Sequence, residues 1–166
     1  MKKPLMTALI ALIIIQLFVP ISRIVNKYNI LKTGTEFKFR VNPVDPYDAF
    51  RGRYVSLNAP QELRDKGKYG VIAIDTDGFA NIISISDEKP ASGHYVTSIN
   101  RKWFSLPIDR YYMDEKFAPK AERLTQRRAP GAEAYVTARV KNGNLVVSGL
   151  YIDGAAIEDI IMNEQR

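Results

Sequence analysis

The sequence predicts a mainly β protein: an N-terminal transmembrane helix followed by a small antiparallel β-sandwich or partly open barrel with one short helix. Three observations predict it. An uncharged, Leu- and Ile-rich run extends from Pro4 to Ser22. Beyond it lie six or more short segments rich in Val, Ile, Thr and aromatic residues, separated by turn-forming residues. Only one later stretch, 114–128, has the composition of a soluble helix. Residues 1–32 are thus expected to form a membrane anchor and stalk, and residues 33–166 a β-rich domain.

The apolar run covers about 19 positions, or roughly 28 Å as a helix, enough to span a bilayer. A cleaved signal peptide has a shorter apolar region ending in small residues. Here bulky Phe18, Val19, Ile21 and Ile24 stand where a peptidase needs small side chains. Pro20 is expected to kink the helix near one interface, with Arg23 and Lys27 reaching toward headgroups. Ile21, Ile24, Val25, Tyr28 and Leu31 keep a helical spacing, so the helix should continue as a short rigid stalk to about Lys32, before Gly34 ends it.

Thr35 to Val41 alternates, as a half-buried strand does. Pro43 and Pro46 stop that ladder, and Asp45 and Asp48 are suited to Asx-turns. Gly52 then precedes a second strand, Arg53 to Asn58, in which Tyr54, Ser56 and Asn58 alternate with Val55 and Leu57. Tyr69 to Asp75 and Phe79 to Ser86 read as a tight hairpin around Thr76-Asp77-Gly78, since Asp-Gly accepts the positive φ of primed turns. His94 to Ile99 is a further strand. The Trp103 to Ile108 segment is expected to be another, confined to an edge or bulge by Pro107. Pro119 restricts the soluble helix to about Lys120 to Arg128, with Pro130-Gly131 as its stop. Ala132 to Lys141 and Asn144 to Ile152 flank Asn142-Gly143, the strongest two-residue hairpin signal. After the Asp153-Gly154 turn, Ile157, Ile160 and Ile161 form a last strand or a helical tail.

The segment with the most specified backbone is Val41 to Asn58. Its Gly52, Tyr54 and Leu57, preceded by Asp45-Pro46 and Phe50-Arg51, resemble the signature of the GDYXXLXY family, a group of bacterial membrane-anchored proteins. Arg53 replaces the motif Asp, and Ala59 replaces its closing Tyr. Arg110-Tyr111-Tyr112 followed by Glu115, and Leu150-Tyr151-Ile152-Asp153-Gly154, are similar to further family features. The resemblance implies an architecture rather than a chemistry, and a domain on the extracytoplasmic side. Flanking charge alone does not fix that side: Lys2 and Lys3 precede the helix, whereas Arg23, Lys27, Lys32, Lys38 and Arg40 follow it.

Charge and composition narrow the chemistry. The formal charge of +6 is concentrated at the anchor, where Lys2, Lys3, Arg23 and Lys27 leave 20 basic against 18 acidic residues beyond it. That balance removes the main support for nucleic-acid binding. With one His and no Cys the sequence implies no metal and no cofactor. A Ser/Lys dyad could draw on Ser56, Ser84 or Ser98 with Lys68 or Lys102, but alternation already explains Ser56 as an outward strand residue. Asp45, Asp48, Asp109 and Glu115 are candidate acid–base carboxylates, although a Pro/Asp turn has a structural use for its acids. Arg51 and Arg53 beside Gly52, and the run Arg123, Arg127, Arg128, could hold an anion or lipid headgroup.

Three functions follow from this reading. The first is a non-enzymatic, membrane-anchored domain binding an envelope or polytopic membrane protein through Asp45, Asp48, Arg51, Gly52, Arg53, Tyr54, Leu57, Arg110, Tyr111 and Glu115. The others are a membrane-tethered hydrolase and a sensor of anionic ligands or lipid headgroups. The first carries one structural expectation, that Arg110-Tyr111 lies beside Gly52-Arg53-Tyr54.

Overall fold

The computed structural model describes residues 2–44, 54–58, 65–100, 102–108, 110–113, 117 and 133–163. Its elements are a helix α1 (Lys2–Thr33), strands β1 (Thr35–Arg40), β2 (Asn42–Val44), β3 (Tyr54–Asn58), β4 (Tyr69–Ile74), β5 (Ala80–Ser86), β6 (Tyr95–Thr97), β7 (Arg110–Tyr112), β8 (Ala134–Lys141), β9 (Asn144–Ile152) and β10 (Ala155–Ala156), and a short helix α2 (Ile157–Asn163). The architecture is mainly β and antiparallel, with no closed barrel among the described residues.

α1 is long and apolar enough to cross a membrane and stands clear of the rest of the chain over most of its length. It passes through Pro20 as one helix, and the Ser22 hydroxyl donates to the Val19 carbonyl one turn back, 2.8 Å. Its end is fixed at Gly34, whose N–H donates to the Ile30 carbonyl at 2.8 Å. A Cβ at that position would lie 2.6 Å from the same oxygen and 3.1 Å from the Val140 carbonyl, so only glycine lets helix and sheet approach this closely. Ile30 is buried, and Lys141 Nζ donates to Thr33 Oγ1 at 2.6 Å. The last turn of α1 is therefore docked onto the domain it carries.

Three small antiparallel sheets surround one core. The largest runs β1-β8-β9-β10, the second β2-β3-β7 and the third β5-β4-β6. Alternation along β1 sends Phe37 and Phe39 inward, opposite Ala138 and Val136 of β8, while Glu36, Lys38 and Arg40 face out. Those inward residues join Leu57, Ile72, Ile82, Val96 and Leu150 from the other strands, with Ile157 and Ile161 of α2, in one continuous cluster. The first and third sheets also meet at an isolated bridge, where the Thr97 N–H donates to the Gly143 carbonyl at 2.8 Å.

The β8–β9 hairpin turns on Asn142 and Gly143 at φ 51° and 78°, the conformation that this dipeptide accepts with least strain. The β4–β5 hairpin differs from the primed turn expected for Asp-Gly. Asp75 N–H bonds to Phe79 O at 2.8 Å across a three-residue loop in which Gly78 takes positive φ. Asp75 explains this, because its Oδ1 accepts from the backbone N–H groups of Asp77 and Phe79, both at 2.9 Å, and closes the longer loop. Residues Ile157–Asn163 form a helical tail rather than a strand.

Residues 103–108 are not a strand. The Ser98 hydroxyl donates to Asn100 O and accepts from the N–H groups of Asn100 and Ser105, while Phe104 N–H bonds to Asp65 O at 2.9 Å. Pro107 has no N–H to offer a ladder. The segment is instead a loop that drops Phe104 and Ile108 into the core. The soluble helix expected at 120–128 lies outside the described residues.

Candidate functional site

β3 and β7 are paired antiparallel, with Tyr54 opposite Tyr112, Val55 opposite Tyr111 and Ser56 opposite Arg110. β2 covers the other side of β3, Pro43 facing Leu57. β3 and the Arg110-Tyr111 segment are thus neighbours in one sheet, although they are more than fifty residues apart in sequence. Asp45, Asp48, Arg51, Gly52, Arg53 and Glu115 lie outside the described residues, as do Asp109, Arg123, Arg127 and Arg128.

The described members of this group have different roles. Leu57 is buried in the common core, where it anchors β3. Tyr112 is 63% exposed, and Arg110 is half-buried at the same edge. Tyr111 packs against the core and donates its hydroxyl to Glu158 Oε1 at 2.6 Å. Burial first, then the hydrogen bond to Glu158 and the negative charge there, with Tyr151 beside it, raise the Tyr111 pKa far above its ordinary value. The phenol therefore stays protonated at neutral pH and acts as a donor. It cannot serve as a base there.

Glu158 escaped the sequence reading. It lies in the first turn of α2, where a carboxylate suits the helix dipole, and Ile157 and Ile161 hold that helix in the core. The Tyr111–Glu158 bond thus ties β7, and through it β3, to the chain terminus. The only sequence signal was an acid pair, Glu158-Asp159, between buried-spaced isoleucines.

A second cluster was also missed. Arg40 donates to Asp75 at 2.7 Å, Asp77 at 2.9 Å and Glu133 at 3.2 Å, with its guanidinium 3.9 Å from the centre of the Phe79 ring. Asp75 is held at a pKa of about 2, mainly by the Phe79 N–H, then by the Arg40 guanidinium and further by the Asp77 N–H and the Asn81 amide. The arrangement locks the tip of the β4–β5 hairpin against β1. Beside it Tyr135 and Tyr151 stack with ring centres 5.1 Å apart. The Asp77-Gly78 turn was legible, but its contact with Arg40 depends on how two sheets meet.

The residues considered for other chemistries are engaged differently. Ser98 organises its own loop, as described above. Lys68 and Lys102 lie over the rings of Tyr69 and Trp103, and Ser84 is exposed on β5. His94 is exposed, with its ring edge-on to Phe37 at 5.1 Å. Among the described residues no group of three His, Asp or Glu side chains could hold a metal ion. An open cleft of about 220 Å³ at the junction of α1 with the domain is lined by Thr33, His94, Tyr95, Lys141 and Gly143, among others.

A family model described as GDYXXLXY protein matches residues 16–150. No curated protein matches the chain, and no solved structure does.

Proposed function

The chain belongs to the GDYXXLXY protein family, and from that premise we propose that it is a single-pass, membrane-anchored, non-enzymatic β domain that binds an envelope or polytopic membrane protein. The domain stands on the extracytoplasmic side, and the binding surface is the β2-β3-β7 sheet together with the motif residues Arg51, Gly52 and Arg53 that precede β3 in the sequence. One observation carries the reading: β3 and β7 are paired, which sets two separate family-like segments side by side in one sheet, with Tyr112 largely exposed on the outer strand β7. Exposed Tyr beside Arg is the chemistry from which protein interfaces draw their strongest contacts. Support for the anchor comes from a helix that rises about 48 Å, more than the roughly 30 Å hydrocarbon core.

Purification from native membranes in a mild detergent, before and after crosslinking, tests the proposal. A stoichiometric partner that is lost when Tyr112 is changed to Ala and Arg110 to Glu is the expected result. A chain that elutes alone under both conditions contradicts it.

A further inference from the structure

The upper part of α1 has two unlike sides. Ile30 is buried against the β8–β9 region, and Thr33 accepts from Lys141, so this side faces the chain's own domain. At 3.6 residues per turn, Ile21, Ile24, Val25, Tyr28 and Leu31 lie in an arc centred roughly 160° from Ile30. They are 54, 67, 61, 64 and 37% exposed. The stripe is turned away from the domain and is not needed to dock it.

With the charge-free run that ends at Ser22 set in the hydrocarbon core, lipid tails cover only the lower part of this stripe. If the uncharged run ending at Ser22 fills the hydrocarbon core, Tyr28 and Leu31 stand about 9 and 13 Å beyond it at roughly 1.5 Å per residue. The headgroup layer is only about 5–7 Å thick. Ile24, Tyr28 and Leu31 are spaced by four and three, as a helix–helix seam requires, and Lys27 and Lys32 border it. A parallel second copy would set Lys27 against Lys32, and α1 contains no acidic residue to relieve the repulsion.

We infer that the stalk stripe is the docking face for the juxtamembrane extension of a membrane helix of a different protein, one that presents apolar residues to Ile24, Tyr28 and Leu31 and an Asp or Glu to Lys27 and Lys32. The charge pattern of the seam selects such a helix over a second copy of this chain. This interface is separate from the β3–β7 edge and rests only on the anchored reading of α1.

The chain has no cysteine, so a single Tyr28→Cys substitution can carry a photoreactive maleimide in native membranes. The expected adduct is to an apolar segment with an acidic residue within one turn of the crosslinked position, identified by mass spectrometry. Its yield should fall about tenfold when Lys27 and Lys32 are both changed to Glu, as two exposed attractions become repulsions, and should persist when both are changed to Arg. Asn26→Cys, on the domain side, should give no such adduct. If the chain remains in the membrane, an adduct to a second copy, to a segment without an acid, to lipid alone, or to nothing overturns the seam and leaves the anchor standing. Loss of the labelled position from the mature chain overturns both.

Discussion

Changing Tyr111 to Phe removes one hydroxyl and leaves the ring in the core. The lost hydrogen bond is short, 2.6 Å, and ends on a carboxylate. Bonds of that kind contribute about 1.5–3 kcal/mol when buried. Tyr111 is only half-buried and water can reach Glu158, so a loss of about 1–2 kcal/mol is expected after discounting for solvent. For a domain of this size that lowers Tm by about 4–8 °C. Thermal unfolding of the full chain in detergent measures it, and hydrogen exchange should show faster exchange of the α2 amides. Adding Glu158→Gln to the Phe variant should cost little more, because the shared bond is already gone. The pH dependence has a defined sign. Folding raises the Tyr111 pKa, so its contribution is complete below the ordinary value of about 10 and is lost as pH rises above it. The gap between wild type and the Phe variant should narrow above pH 10. An unchanged Tm, or a gap that widens in alkali, refutes the clamp between β7 and α2.

Asp75 titrates in the opposite sense. Its folded pKa of about 2 lies below the ordinary 3.8, so its contribution is present at neutral pH and is lost as pH falls from about 4 toward 2. The β4–β5 tip should detach in that window, seen as loss of amide protection at Asp77 and Phe79, and Asp75→Asn should abolish this acid step. Gly70→Ala should destabilise the domain by about 1–3 kcal/mol in denaturant titrations, because the new Cβ would run into the Cζ edge of the buried Phe104 ring. A single cysteine placed at exposed Asp153 should be labelled by a membrane-impermeant maleimide in intact cells if the domain is extracytoplasmic. Labelling only after lysis reverses the orientation.

The features legible in the sequence were those set by local backbone chemistry. Asn142-Gly143 announced the β8–β9 turn because few other dipeptides accept positive φ at both positions. The alternation of Phe37 and Phe39 with Glu36 and Lys38 fixed the buried face of β1. Gly34 marked the end of α1. Features set by long-range approach were not legible. Phe104 and Ile108 were read as strand residues because apolar spacing cannot distinguish a ladder from a loop crossing the core, and the Ser98 hydroxyl that holds this loop looked like an ordinary strand serine. Arg40 looked like any outward strand cation until the β4–β5 turn brought Asp75 and Asp77 to it. At the candidate site, where Gly52 and Arg53 lie outside the described residues, the adjacency of Tyr54 to the Arg110-Tyr111 segment was anticipated from the family resemblance. The partner of Tyr111 was not, since nothing local pairs residue 111 with a carboxylate in the terminal helix.

The most direct test of an anchored domain is the mass of the mature chain recovered from alkali-washed native membranes. The account predicts the full-length chain, with α1 intact, in the membrane pellet. A shorter chain lacking the first thirty or so residues, released into the supernatant, would contradict it.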